Sequence, residues 1–300
     1  MKINSFYTLL LVIITMFTTS STQAEEALSP YLKVGTKAIS MESLVNEIKS
    51  ALTGAQFDVL GDYSPENNAR FHVIAYTRTD LKQISLTKKD RGALAAILKI
   101  GLIDNNGVIT ISMLNPMYLF NAYFGNEITG KADKLAGIAE AAKSAMKSFG
   151  NTFAPFGGSV ETDDLKDYKY MAFMPKFGDP SLLNEFTSFE EGLQTIRKNL
   201  TAGKGSTKKV YELVFADKGI AVFGVGLYDK AIGEAHFLPI IGEDNLAAMP
   251  YEIILQGTKA TIMPGKYRLA VHWPELSMGT FMKIVSTPGE IESTLEGLTK

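Results

Sequence analysis

Two short stretches of this chain hold the residue types that chemistry would use. In "IGEAHFLPIIGED" a histidine, His236, stands two residues after a carboxylate, Glu234, and close to Pro239. In "AVHWPEL" His272 adjoins Trp273, the single tryptophan, and Glu275 follows. A titratable ring beside an aromatic and a carboxylate suits a small-molecule pocket, or a metal site with imidazole and carboxylate ligands. Neither stretch has the H-E-x-x-H spacing that puts two imidazoles on one helical face. The third histidine, His72, precedes the apolar run "VIAY" without a metal-ligand neighbour and reads as structural.

Other candidates are weaker. "TAGKGSTKKV" (201–210) resembles a phosphate loop, but Lys204 is followed by Gly205 and the stretch follows a helical pattern where a P-loop opens one. It reads as a polar turn. "GGSV" (157–160) lacks the second glycine of a nucleophile elbow. With no cysteine, thiol catalysis and disulfides are both excluded. Met171 and Met174, three apart, and Met278 and Met282, four apart, could offer thioethers to Cu(I). Set among Phe173, Phe177, Phe281 and Ile284, they are expected to fill core. No catalytic residue is assigned.

The elements that must position these residues show an order that recurs. "SMESLVNEIKSAL" (40–52) and "SFEEGLQTIRKNL" (188–200) each place four apolar residues at intervals of four, three and four behind a serine N-cap. A separation of 148 residues superposes them and also superposes the strand-like "VIAYT" (73–77) on "AVFGV" (221–225). "ALAAILKIGLI" (93–103) then parallels "NLAAMPYEIIL" (245–255), with about four extra residues in the second copy. A hairpin turn follows in each half, "DNNG" or "QGTK", then a strand and a closing helix (131–149 or 287–299). Leading strands are expected at 31–35 and 168–174, and a boundary within 150–167. The reading is an internal duplication of α+β units, helices packed on a largely antiparallel sheet.

These motifs resemble the domain of unknown function 302 family, whose fold is called TT1751-like. The second half matches more closely, through "SFEEGLQTIRKNL", "VFGVG" and "NLAAMPYEIIL". The first half matches through "SMESLVNEIKSAL" and "NNGVITISMLNPMYL", the Asn-Pro step included. It departs at Ala75-Tyr76, where the second half has Phe223-Gly224. The second half lacks the Asn-Pro step and has Pro264-Gly265. The resemblance implies two tandem compact α+β domains, 25–150 and 151–300, and no agreed activity or cofactor.

Destination is read from the first residues. Lys2, an apolar run at 8–17 and a polar stretch ending Thr22-Gln23-Ala24 form a signal peptide over 1–24. The apolar run has half the length of a membrane span. The remaining 276 residues carry 29 basic and 32 acidic side chains, a net charge of −3. That balance gives no reason to expect nucleic acid or an anionic membrane as partner.

The expectation is an exported, periplasmic or secreted, non-enzymatic binding or accessory protein. Its partner is a small molecule or another exported protein, and its cofactor is unknown. One alternative is a metal- or haem-related carrier using the second-half His and Met residues. A hydrolase with an unrecognised site is another. Residues added between Tyr228 and Asn245 place any ligand site in the second half, on Glu234, His236, His272, Trp273 and Glu275. N-terminal sequencing of the exported protein is expected to begin at Glu25; Met1 retained in a membrane fraction would contradict this.

Overall fold

The computed structural model describes residues 27–300; the signal peptide expected at 1–24 lies outside them. The first half runs β1 (Ala27–Leu28), β2 (Tyr31–Lys37), α1 (Met41–Gly54), β3 (Asp58–Tyr63), β4 (Phe71–Thr77), α2 (Thr79–Ser85), β5 (Leu98–Asn105), β6 (Val108–Leu114), α3 (Pro116–Phe124) and α4 (Ala132–Met146). After β7 (Ala154–Phe156), β8 (Val160–Glu161) and α5 (Thr162–Lys166), the second half runs β9 (Ser181–Glu185), α6 (Phe189–Thr201), β10 (Thr207–Phe215), β11 (Ile220–Leu227), α7 (Glu234–Ile241), β12 (Tyr251–Gln256), β13 (Lys259–Ile262), α8 (Gly265–His272), α9 (Met278–Phe281) and α10 (Thr287–Gly297). This is a mixed α+β fold of antiparallel sheets with helices.

The repeated helices form as their spacing dictates. Ser40 Oγ accepts the Ser43 N–H at 3.1 Å and opens α1, which buries Leu44, Val45, Ile48 and Leu52. Ser188 Oγ accepts the Glu191 N–H at 3.1 Å and opens α6, which buries Leu193, Ile196 and Leu200. The Glu191 carboxylate turns back to accept the Thr187 N–H at 2.8 Å, closing the cap one residue outside the usual box.

The two main sheets share one strand order. The first is β3-β4-β5-β6-β2-β7 and the second β10-β11-β12-β13-β9, so each leading strand inserts beside the last strand of its hairpin. Two bulges recur as well. Register slips at Val34 in β2 and at Leu183 in β9, and again at Leu60 in β3 and Val210 in β10. Both bulges thus fall at equivalent places in the two strand orders.

Three expectations need correction. The second leading strand is β9, and residues 168–174 form a turn-rich loop, with the Met174 N–H bonded to the Met171 carbonyl at 3.2 Å. Leu183 alternates into the core at β9, whereas Phe173 adopts φ +66 and breaks any strand. The methionines do not fill core: Met171, Met278 and Met282 are exposed, and so is Phe173. Finally, the segment 150–167 is no free connector, since β7 pairs with β2 and β8 with β1.

The halves meet reciprocally. Edge strand β3 lies against edge strand β10, and a side chain at Gly61 would strike the Val210 carbonyl oxygen at 2.1 Å. The short helical turn Gly92–Ala96 packs on β11, and its counterpart Glu243–Ala248 packs on β5, where a Cβ at Gly101 would stand 2.9 Å from Ala247 N. Each contact is an exchange between equivalent surfaces, the arrangement of an isologous dimer within one chain.

At this seam sits an ionic knot. Lys99 of β5 pairs with Glu252 of β12, both nearly inaccessible to water. Lys99 Nζ also approaches the carbonyls of Ala248 and Pro250, and Arg268 of α8 donates to the same two. The Tyr211 hydroxyl donates to Glu252 Oε1 at 3.1 Å, and the Arg268 guanidinium stacks 3.7 Å from the Tyr251 ring. Burial and the Arg268 charge lower the Lys99 pKa, while Glu252 opposes them. Two cations against one anion leave the knot dependent on that carboxylate. Glu252→Ala is therefore expected to cost about 3–5 kcal/mol in urea unfolding. The double variant with Lys99→Met should recover much of it; equal losses in the single and double variants would contradict the pairing.

Candidate functional site

The residues singled out in the sequence separate into two groups. Glu234 and His272 face the seam between the halves. Glu234 opens α7 and is fully buried. Its carboxylate accepts the Tyr63 hydroxyl at 2.8 Å and the backbone N–H groups of Leu227 and Glu66 at 3.3 Å. Tyr63 and Glu66 belong to the first half, so this carboxylate ties α7 across the seam. Burial outweighs those three donors and pushes the Glu234 pKa up to about 7.

His272 ends α8 and is buried among first-half tyrosines. The Tyr123 hydroxyl lies 3.1 Å from Nε2, and the Tyr31 hydroxyl donates to the His272 carbonyl at 2.9 Å. Tyr118 donates to the Val271 carbonyl at 2.8 Å and Asn245 to the His272 carbonyl at 3.0 Å. The last carbonyls of a helix have no partner within it, and here Tyr31 and Tyr118 from across the seam, with Asn245 from the same half, donate to them. Burial first, then the charges of Arg268 and Lys99, hold the imidazole well below its ordinary pKa, so it is neutral.

Trp273 and Glu275 belong to the second group. With Pro239, Ile240, Ile241 and Gly242 from the end of α7 and Leu276, Ser277 and Thr280 from the following segment, they line a recess of about 380 Å³. Its lining mixes apolar side chains with the polar groups of Glu275, Ser277 and Thr280. Glu275 is exposed there, while Ser277 Oγ is engaged in capping α9 through the Thr280 N–H at 3.1 Å. His236 is half-buried on α7, and neither it nor His272 lines the recess. The two imidazoles therefore do not meet in one cleft. Among the described residues no group of three or more His, Cys, Asp and Glu side chains could hold a metal. His72 is structural, with Nε2 2.8 Å from Asp62 Oδ2 and Lys49 pairing with the same carboxylate.

Sequence reading missed the part played by Tyr31, Tyr118, Tyr123, Lys99 and Arg268. An arginine and a lysine inside otherwise apolar runs, "GKYRLAV" and "ILKIGLI", were the available signals. It also missed that the inserted loop is a helix. Pro239 sits inside α7, yet Phe237, Leu238 and Ile241 anchor the helix in the core.

On the other side of Trp273 and Leu276 runs a shallow apolar groove. Leu269 and Ala270 of α8 help form its floor, and Tyr170, Met174, Met278 and Phe281 form its sides, with Lys266 at the edge.

No family model matches the chain, and no curated protein matches it. Among solved structures, an uncharacterized conserved DUF302 protein from Bacillus stearothermophilus aligns at 15% identity. The alignment covers 39% of this chain and 94% of that one, with a TM-score of 0.32. At that score the likeness carries no weight; the α+β assignment rests on the strand order and register described above.

The buried carboxyl gives a pH test. Unfolded, Glu234 ionises near 4.5; folded, near 7. Between those values the native chain holds a proton the unfolded chain has lost, so this contribution to stability falls as pH rises from about 4.5 to about 7. At roughly 1.4 kcal/mol per decade it amounts to about 3–4 kcal/mol. Urea unfolding of Glu234→Gln across that window should lack this decline relative to the parent. Identical pH slopes for the two proteins would contradict the assignment.

Proposed function

We propose that this is an exported, non-enzymatic binding or accessory protein built from two tandem copies of one α+β unit, of the domain of unknown function 302 type. Its ligand is a small molecule with an apolar body, held in the recess between α7 and residues 273–280. The observation that carries this reading is the recess itself. Its volume of about 380 Å³ falls within the range of small-molecule sites, about 300–1,000 Å³. Its wall is aliphatic and aromatic, and its one charged group, Glu275, stands on the rim where it would face a cationic or hydrogen-donating end. α7 occupies the place that α2 holds in the first half, and the recess lies at its C-terminal end. The buried titratable groups nearby, Glu234 and His272, support binding over catalysis, because their polar atoms already serve the seam.

Trp273 is the only tryptophan and lines the recess, so its emission reports occupancy. Native mass spectrometry of the chain taken from its own periplasmic fraction is expected to show a bound small molecule. Ile240→Glu, which puts a charge on the wall, should release it. An unliganded mass in every preparation, with no shift of Trp273 emission across a panel of small apolar-bodied cations, would contradict the proposal.

A further inference from the structure

Nine large hydrophobic side chains are exposed among the described residues, and six of them lie in two short segments. Tyr170, Met171 and Phe173 belong to the loop before β9; Met278, Met282 and Val285 belong to α9 and the turn after it. Tyr170 and Met278 also line the shallow groove, so the two segments are its opposite lips. We infer that this lip-and-groove face is a docking surface for an anionic lipid bilayer. The inference goes beyond the recess reading and does not depend on it.

The groove encloses only about 80 Å³, well short of a small-molecule site. Whatever covers the lips therefore lies against them and is not swallowed between them. Phe173 projects wholly into solvent from a backbone at φ +66, a conformation bulky residues avoid. No contact within the fold accounts for holding a phenyl ring out in that way. Exposed apolar patches of this kind mark a partner or a membrane. A protein partner would need a socket matched to the projecting ring. The interfacial layer of a bilayer accepts any such ring, and tyrosine suits its wet boundary.

Charge supports the choice of lipid. Lys169, Lys266 and Lys283 are exposed around the patch, and none forms an ion pair among the described residues. Lys176 on the same loop is held by Asp167, and Glu275 is the exposed acid beside the groove. The net charge of −3 gives the whole molecule no attraction to an anionic surface, so the lysines must act locally, within about 10 Å at ordinary ionic strength. Their long stems can lie along the apolar lips while the ammonium groups reach headgroups.

The test uses the mature chain, residues 25–300, and vesicles of phosphatidylethanolamine with phosphatidylglycerol, against vesicles of phosphatidylcholine alone. Co-sedimentation is expected with the anionic vesicles, weakening as salt is raised. Brominated acyl chains should quench Trp273, which lies in the groove floor. Phe173→Ser with Met282→Ser should reduce binding about tenfold or more, from the apolar surface lost. Lys169→Glu with Lys283→Glu should abolish the preference for anionic lipid. These positions are exposed, and matching urea midpoints would show that the variants fold. Ile240→Glu should bind vesicles as the parent does, which separates this surface from the recess. No binding to anionic vesicles, or binding that ignores both lip variants, would overturn the inference. So would self-association abolished by the lip variants in a chain that leaves vesicles unbound, which would assign the face to a protein contact.

Discussion

The pairing of Lys99 with Glu252 is the constraint on which the rest of the molecule depends. Each residue lies on a central strand of its own sheet, and each carries a charge into a region that excludes water. Removing either partner would leave the other buried and unpaired at a cost of about 3–5 kcal/mol, so each half supplies a counter-charge that the other needs. Arg268 adds a second cation, which binds the Ala248 and Pro250 carbonyls and the face of Tyr251. Around this knot the tyrosines of the first half cap α8 of the second, and Glu234 of the second binds Tyr63 of the first. The two sheets share one strand order and are joined through these buried contacts.

That coupling explains how the molecule divides its polar groups. Those at the seam are consumed by structure, and their pKa values move away from ordinary ranges because burial dominates. The recess and the groove both lie in the second half, beside α7 and residues 273–281, with Trp273 lining each. The shared strand order supplies the frame, and the recess and the groove lie on helices and loops outside it. Segments laid over a stable scaffold can diverge without disturbing the core.

Much of this frame was legible in the sequence. Serine caps and apolar intervals placed α1 and α6, and "NNG" placed the β5–β6 turn, where Asn106 and Gly107 both take positive φ. The paired "LAA" segments are the turns Gly92–Ala96 and Glu243–Ala248, whose packing on the opposite sheet could not be read from their likeness. Residues 168–174 misled because "YKYMAFM" alternates like a strand, while alternation alone cannot say whether a neighbouring edge is free to receive it. The edge beside β13 went to β9 instead. Methionine misled in the same way, since a thioether suits a core and an adaptable surface equally well. Trp273 and Glu275, singled out as the aromatic and carboxylate beside a histidine, line the recess while that histidine does not. The buried roles of His272 and Glu234 were not legible, because they depend on tyrosines more than 140 residues away.

Unfolding followed separately in each half tests the coupling most directly. Native-state hydrogen exchange in urea can report β3, β4 and β5 on one side and β10, β11 and β12 on the other, while Trp273 emission reports α8. If the seam unites the halves, all three signals should lose structure at the same urea concentration and with the same slope. Two separated transitions, with one sheet remaining protected after the other has exchanged, would contradict the account.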